Sequence, residues 1–171
     1  MKTYAALLRA INVGGTGKLP MTELRELCAG CGLEDATTYI QSGNVVFRSK
    51  LSESGVKRAL EQALARKMGK PFGVLIRTCA ELDAVIDGNP FPKAAPAQLL
   101  VLFMDAPPPA DCLDRVVIPG REELALRGRE LFIFFPDGMG RSKLKVPLQK
   151  VGTGRNLNTI TKLAALARAL V

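Results

Sequence analysis

Three polar clusters carry residue types able to hold an anion. The first is Arg9-Ala10-Ile11-Asn12-Val13-Gly14-Gly15, continued by Thr16-Gly17-Lys18. Glycines let backbone N–H groups approach an anion closely, a helix start just beyond adds a favourable dipole, and Lys18 adds charge. This is not a nucleotide-binding P-loop, because Asn12 and Leu19 stand where glycine and Ser or Thr are required. Pro20 likewise breaks the dinucleotide-binding pattern. The bland alternative is a flexible turn with one solvated lysine.

The second cluster is Gln41-Ser42-Gly43-Asn44. It is first of all a hairpin turn, for which Gly43 and Asn44 suffice because both residue types tolerate positive φ. Gln41 is not needed for the turn, so ligand contact from Gln41, Ser42 or Asn44 stays open beside it. The third is Thr153-Gly154-Arg155-Asn156-Leu157-Asn158, ahead of an amphipathic stretch. Thr153 or Asn156 can cap that helix. Arg155 opposes the dipole there unless an anion lies between them.

Other chemistries are less well supplied. The chain has no histidine, the commonest general base and a frequent metal ligand. Acid–base work would fall to Asp, Glu, Lys, Tyr or Cys, and no paired carboxylates or serine–base arrangement stands out. Catalytic residues and cofactors stay unassigned, and whether the chain is an enzyme stays open. Cys28-x-x-Cys31 lies near a helix C-terminus, where the dipole disfavours a thiolate. Cys79 and Cys112 stand alone, so no metal site is expected. The cysteine pattern fits a reducing compartment rather than a disulfide framework.

The net charge is +8, and its distribution is uneven. From Arg141 onward there are seven basic residues and no acidic one, while residues 1–140 carry seventeen basic and sixteen acidic groups. A basic segment of this kind attracts anionic partners or forms a solvated face. No apolar run approaches the roughly 18 residues of a membrane span. The run from Tyr4 to Leu8, closed by Arg9, is too short for a signal peptide. A cytoplasmic protein without a membrane partner is expected, and the oligomeric state is left open.

These clusters need elements to position them. Thr3–Ala10 reads as a strand apolar on both faces, hence central. Met21–Gly32 reads as a helix, Thr37–Gln41 and Val45–Ser49 as a hairpin, a second helix starts at Ser52 or Ser54, and Phe72–Arg77 reads as a strand. That order is βαββαβ, the ferredoxin-like split unit. Thr78 and Glu81 make a capping box for a short helix ending near Gly88. Asn89-Pro90-Phe91-Pro92 is the candidate boundary.

The second half begins with the apolar strand Leu99–Met104 and continues with a short helix over 110–115. A hairpin crossing Gly128 and a helix or turn over 142–151 lead to an amphipathic helix over 156–170. The expected fold class is α+β: a ferredoxin-like βαββαβ N-terminal half over 1–88, packed against a similar βαββα half over 89–171 that ends in a C-terminal helix. Together they form one compact unit.

The residues also resemble a known family, domain of unknown function 1697, made up mostly of small bacterial proteins. The resemblance rests on Leu7 to Gly15, Leu19-Pro20-Met21, Thr38 to Phe47, Asn89-Pro90-Phe91, Ser142-Lys143-Leu144, and Arg155 to Thr159 with Lys162-Leu163. Ala10 stands where the pattern often has glycine, and Leu157 where it usually has an aromatic residue. The resemblance implies an α+β fold with a ferredoxin-like N-terminal half, and no activity.

From the residues themselves, the expected function is binding of a small anionic ligand, such as a nucleotide or phosphorylated metabolite, in a cleft between the halves. Arg9, Lys18 and Arg155 would supply charge. Asn12, Gln41, Ser42, Asn44, Asn156 and Asn158 would supply hydrogen bonds, and Gly14, Gly15 and Gly43 close backbone approach. The alternative is non-specific nucleic-acid binding through the basic C-terminal segment. RNA-binding ferredoxin-like domains stack bases on aromatics of their central strands, where only Tyr4 and Phe47 are available here.

Overall fold

The computed structural model describes residues 1–12 and 18–171. Gly14 and Gly15, with the rest of 13–17, lie outside the described residues. The described chain divides into two compact units, 1–83 with 162–171 and 84–161.

The first unit carries β1 (Lys2–Leu8), α1 (Met21–Gly30), β2 (Glu34–Thr38), β3 (Asn44–Ser49), α2 (Glu53–Met68) and β4 (Val74–Thr78), followed by α3 (Cys79–Asp87), which crosses the boundary. Its antiparallel sheet has the order β2-β3-β1-β4. The two-period of β1 puts Tyr4, Ala6 and Leu8 on the face that packs with Leu24 and Cys28 of α1 and Val56, Leu60 and Leu64 of α2. Ala5 and Leu7 on the opposite face are equally buried, as the doubly apolar sequence of β1 requires. Ser52 caps α2 by accepting from the Gly55 N–H, and Gly69 ends it in the left-handed conformation.

The second unit carries β5 (Leu99–Phe103), β6 (Glu123–Arg127), β7 (Glu130–Phe134) and β8 (Thr153–Asn156). The final helix, α4 (Leu157–Ala169), begins in this unit and ends in the first. The strand order is β6-β7-β5-β8, the order of the first sheet repeated. The chain is α+β, as expected.

The connections differ from the sequence reading. Residues 110–115 form successive tight turns instead of a helix, with Cys112 N–H bonded to Pro109 and Asp114 N–H to Asp111. Three preceding prolines and Pro119-Gly120 leave too short a stretch for an isolated helix to form. Between β7 and β8, where the sequence left a helix or turn over 142–151, a short 3₁₀ turn forms at Pro147–Lys150. Leu113, Met139, Leu144 and Leu148 from these irregular segments cover Leu102, Leu131 and Ile133. The last strand, β8, occupies residues that the sequence suggested as a helix cap and candidate anion contacts, with no strand expected there.

Candidate functional site

The C-terminal end of β1 is tied to two neighbouring segments. Leu8 N–H donates to the Gly43 carbonyl and Arg9 N–H to the Gly73 carbonyl, both at 2.9 Å. The corner therefore joins the end of β1 to the segments that lead into β3 and β4. Arg9 lies across Gly73, close enough that a Cβ there would meet the Arg9 Cδ at 3.0 Å.

Asn12 fastens the corner. Its Nδ2 donates to the Leu19 carbonyl at 3.0 Å and the Gln41 carbonyl at 2.8 Å, while its Oδ1 accepts from the Leu19 N–H at 2.6 Å. One side chain thus closes the loop that runs from residue 12 to residue 19 and pins it to the 41–44 turn. Asn44, fully buried, holds that turn from within: its Nδ2 donates to the Tyr39 carbonyl and Ser42 Oγ, both at 3.0 Å. Gly43 has φ of 87°, and a Cβ there would lie 2.4 Å from Ile11 Cγ2. Only glycine supplies both that conformation and that clearance. The sequence-predicted residues Arg9, Asn12, Gln41, Ser42, Gly43 and Asn44 therefore share one corner of the first unit. Exposed Lys18 is next to Leu19, which Asn12 holds in place.

Backbone conformation at this corner is unusual. Four non-glycine residues of the described chain have positive φ: Ala10 at 51°, Asn12 at 56°, Asp35 at 57° and Ile40 at 51°. Three of them belong to the corner. Asn tolerates this region, but alanine pays a steric penalty and a β-branched residue a larger one. Ile40 is also 46 % exposed, so its own burial does little to compensate for the conformation. Sequence reasoning did not find Ile40. No local signal identifies it: it lies between Tyr39, whose carbonyl accepts from Asn44, and Gln41, whose carbonyl accepts from Asn12. Helix α1 starts just beyond, behind Pro20, and no side chain among the described residues caps its first N–H groups.

Arg155, Asn156 and Asn158 belong to the second unit. Arg155 is in β8, 7 % exposed, with Nη1 donating to Thr153 Oγ1 at 2.8 Å and the Gly154 carbonyl at 2.9 Å. Burial pulls its guanidinium down to about 10, still charged at neutral pH. The Asn156 side chain caps α4 by accepting from the Thr159 N–H at 2.9 Å. Asn158 is exposed on the first turn of the helix.

Of the basic segment, Arg141, Lys143, Lys145, Lys150 and Lys162 are exposed, while Arg168 is ion-paired with Asp83. Cys28 is buried in α1, and burial pushes its thiol up to about 12. Cys31, just past the helix, is raised for the same reason. Neither carries thiolate character at neutral pH. No group of three or more His, Cys, Asp or Glu suited to a metal occurs among the described residues. No helix among them is long and apolar enough to cross a membrane.

No curated protein matches the chain. A solved structure described as that of the conserved bacterial protein SP0830 from Streptococcus pneumoniae is similar over 97 % of this chain and 98 % of its own. Its TM-score is 0.81 and its sequence identity 27 %. The two-sheet fold thus has a solved counterpart of matching length. The model of the DUF1697 family, described as proteins of unknown function, matches residues 1–132, and the chain belongs to that family.

Proposed function

We propose that the protein binds a small anionic ligand, such as a nucleotide or phosphorylated metabolite, at the corner where β1 ends. The observation that carries this reading is the gathering of Ala10, Asn12 and Ile40, all left-handed and none of them glycine, beside Arg9 and Lys18. Strained residues persist only where surrounding contacts over-determine them, and they concentrate at ligand clamps. Arg9 and Lys18 give the corner its sign. The start of α1 supplies N–H groups and the positive end of a helix dipole. Gly14 and Gly15, outside the described residues, enter the proposal by residue type alone. Gln41, Ser42, Gly43 and Asn44 form the facing turn. Arg155, Asn156 and Asn158, which belong to the second unit, are proposed as further anion contacts of that unit.

The test is a thermal-shift screen against nucleotides, phosphosugars and short oligonucleotides, on the wild-type chain and on Lys18→Gln and Arg155→Gln. A ligand at about 100 times its dissociation constant adds about 2.7 kcal/mol of stability. The expected result is a shift from one class of small anion, reduced in both variants when each is compared with its own ligand-free midpoint. Salt separates the alternatives. Neutralising many phosphates gives an affinity that falls steeply with ionic strength, whereas one small ligand held by hydrogen bonds loses less. Binding to oligonucleotides alone, with no response to any small anion, would reject the proposal in favour of non-specific nucleic-acid binding through the exposed lysines between 141 and 162.

A further inference from the structure

The sheet of the second unit has an open edge at β6, which among the described residues pairs with β7 on one side only. The β6–β7 hairpin turns through Gly128 and Arg129, with Gly128 at φ 58° and Arg127 opposite Glu130. In a two-residue hairpin the flanking pair is the hydrogen-bonded one, and bonded positions then alternate along the strand. Glu123, Ala125 and Arg127 therefore turn their backbone groups toward β7, while Leu124 and Leu126 turn theirs outward. The Leu126 carbonyl meets this expectation, since it accepts the Arg127 Nη1 at 3.0 Å instead of a strand partner.

Open edges in natural proteins are blunted by bulges, prolines or inward-pointing charges. The corresponding edge of the first sheet follows that rule. In β2, Asp35 has φ of 57° and the register shifts between Glu34 and Thr37. In contrast, β6 has none of these devices: its five residues run in unbroken register from Glu123 to Arg127. Its sequence, Glu-Leu-Ala-Leu-Arg, is also self-complementary when read against itself in the antiparallel direction.

We propose that β6 pairs with β6 of a second copy of this chain, antiparallel about a two-fold axis at Ala125. Glu123 of each copy then faces Arg127 of the other, and Leu124 faces Leu126. The outward N–H and carbonyl groups of the two leucines form four hydrogen bonds between the copies, with each Arg127 leaving the Leu126 carbonyl for the opposing Glu123. Leu124 and Leu126 are half-buried against the core of Leu102, Leu131 and Ile133, so pairing joins two such cores across one eight-stranded sheet. Glu123 and Arg127 are exposed and lie on the other face. The closure is isologous, so association stops at the dimer.

The full-length chain is measured by light scattering and sedimentation from about 1 μM to about 1 mM, a range spanning tight to weak association. A concentration-dependent monomer–dimer equilibrium is expected, with amide-exchange protection at Leu124 and Leu126 rising alongside the dimer. Arg127→Glu places Glu opposite Glu, and Glu123→Arg places Arg opposite Arg. Each weakens self-association by about tenfold, because like charges directly opposite destabilise a strand pair. An equimolar mixture of the two variants restores dimers, because the mixed pair is again complementary at both ends. Circular dichroism confirms that both variants fold. A chain that stays monomeric at about 1 mM overturns the proposal. So does a dimer indifferent to both substitutions, or a mixture no better associated than its components.

Discussion

Arg77 and Arg155 hold equivalent positions in the two sheets. Each is the penultimate residue of its edge strand, β4 or β8, and each is buried, at 0 % and 7 % exposure. Each directs its Nη1 back to the carbonyl of the preceding residue at 2.9 Å: Ile76 for Arg77, Gly154 for Arg155. The next residue in each case ends the strand and caps the following helix. Thr78 Oγ1 accepts from the Glu81 N–H at 3.2 Å, and Asn156 Oδ1 accepts from the Thr159 N–H at 2.9 Å. With the strand orders β2-β3-β1-β4 and β6-β7-β5-β8, this repeats one strand-to-helix device in both units. The two copies share an arginine and a capping function, and no longer sequence.

Replacing either arginine by lysine keeps the charge but removes the planar fork that reaches the backbone. Arg77→Lys and Arg155→Lys are each expected to destabilise by about 1–3 kcal/mol, the cost of unmaking charged hydrogen bonds at a buried site. Urea denaturation of the two variants measures this. If one variant unfolds like the wild type, the shared geometry is not shared energetics.

The caps make an independent prediction. Asn156→Ala leaves the Thr159 N–H without its acceptor and is expected to cost about 1 kcal/mol. Thr78→Ala breaks a reciprocal pair, since the Thr78 N–H also donates to Glu81 Oε2 at 2.8 Å, and should cost at least as much. Asn156→Asp keeps the acceptor and should be close to neutral or stabilising, because a negative charge there also suits the helix dipole. A thermal-melt series on the three variants decides the ranking.

The strained corner separates two kinds of left-handed position. Gly43→Ala must hold a methyl 2.4 Å from Ile11 Cγ2 and 2.9 Å from Leu8 Cβ at φ 87°. Conformational and overpacking costs together give a loss of about 2–4 kcal/mol. Ala10→Gly runs the other way. It relieves an alanine held at φ 51°, and the gain in the folded state outweighs the added freedom of the unfolded chain, for a net stabilisation of about 0.5–1 kcal/mol. Chemical denaturation reads both. An Ala10→Gly variant less stable than the wild type would mean that this residue is not strained.

Much of the first unit was legible from the chain because its signals are local. Alternating and doubly apolar strands, a serine ahead of α2 and the Thr78–Glu81 box each act within a few residues. The corner was legible as a cluster of polar residues and glycines. The bonds that Asn12 makes to Leu19 and Gln41 span up to 29 positions, and no periodicity reports them. Ile40 escaped notice for the same reason. In the second unit β8 was missed because Thr-Gly-Arg-Asn lacks any strand pattern. It is a strand because the backbone of β5 is there to pair with, Val101 opposite Arg155 and Phe103 opposite Thr153. Arg155 was read as a residue at a helix terminus, whereas it precedes the helix by two positions and is inside the sheet.

Acidification tests the loop that joins the β6–β7 hairpin to the segment after it. Glu122 accepts from Ser142 Oγ at 2.7 Å and from the Gly120 N–H at 2.9 Å. The Ser142 bond, first among the causes, holds its carboxyl below the usual value of 4.5. Both bonds favour the charged form, so the folded chain binds fewer protons here than the unfolded chain as the pH falls past 4.5. The stabilisation is therefore complete above that value and is lost as the pH drops through the lower, folded-state value. Ser142→Ala removes the principal cause. The difference in urea midpoint between wild type and Ser142→Ala is expected to be constant at neutral pH and to shrink as the pH falls below the usual value of 4.5 and through the lower, folded-state value. A difference that stays the same into acid would show that Ser142 acts through packing or through its own bond to the Leu144 N–H, with no part in the charge of Glu122.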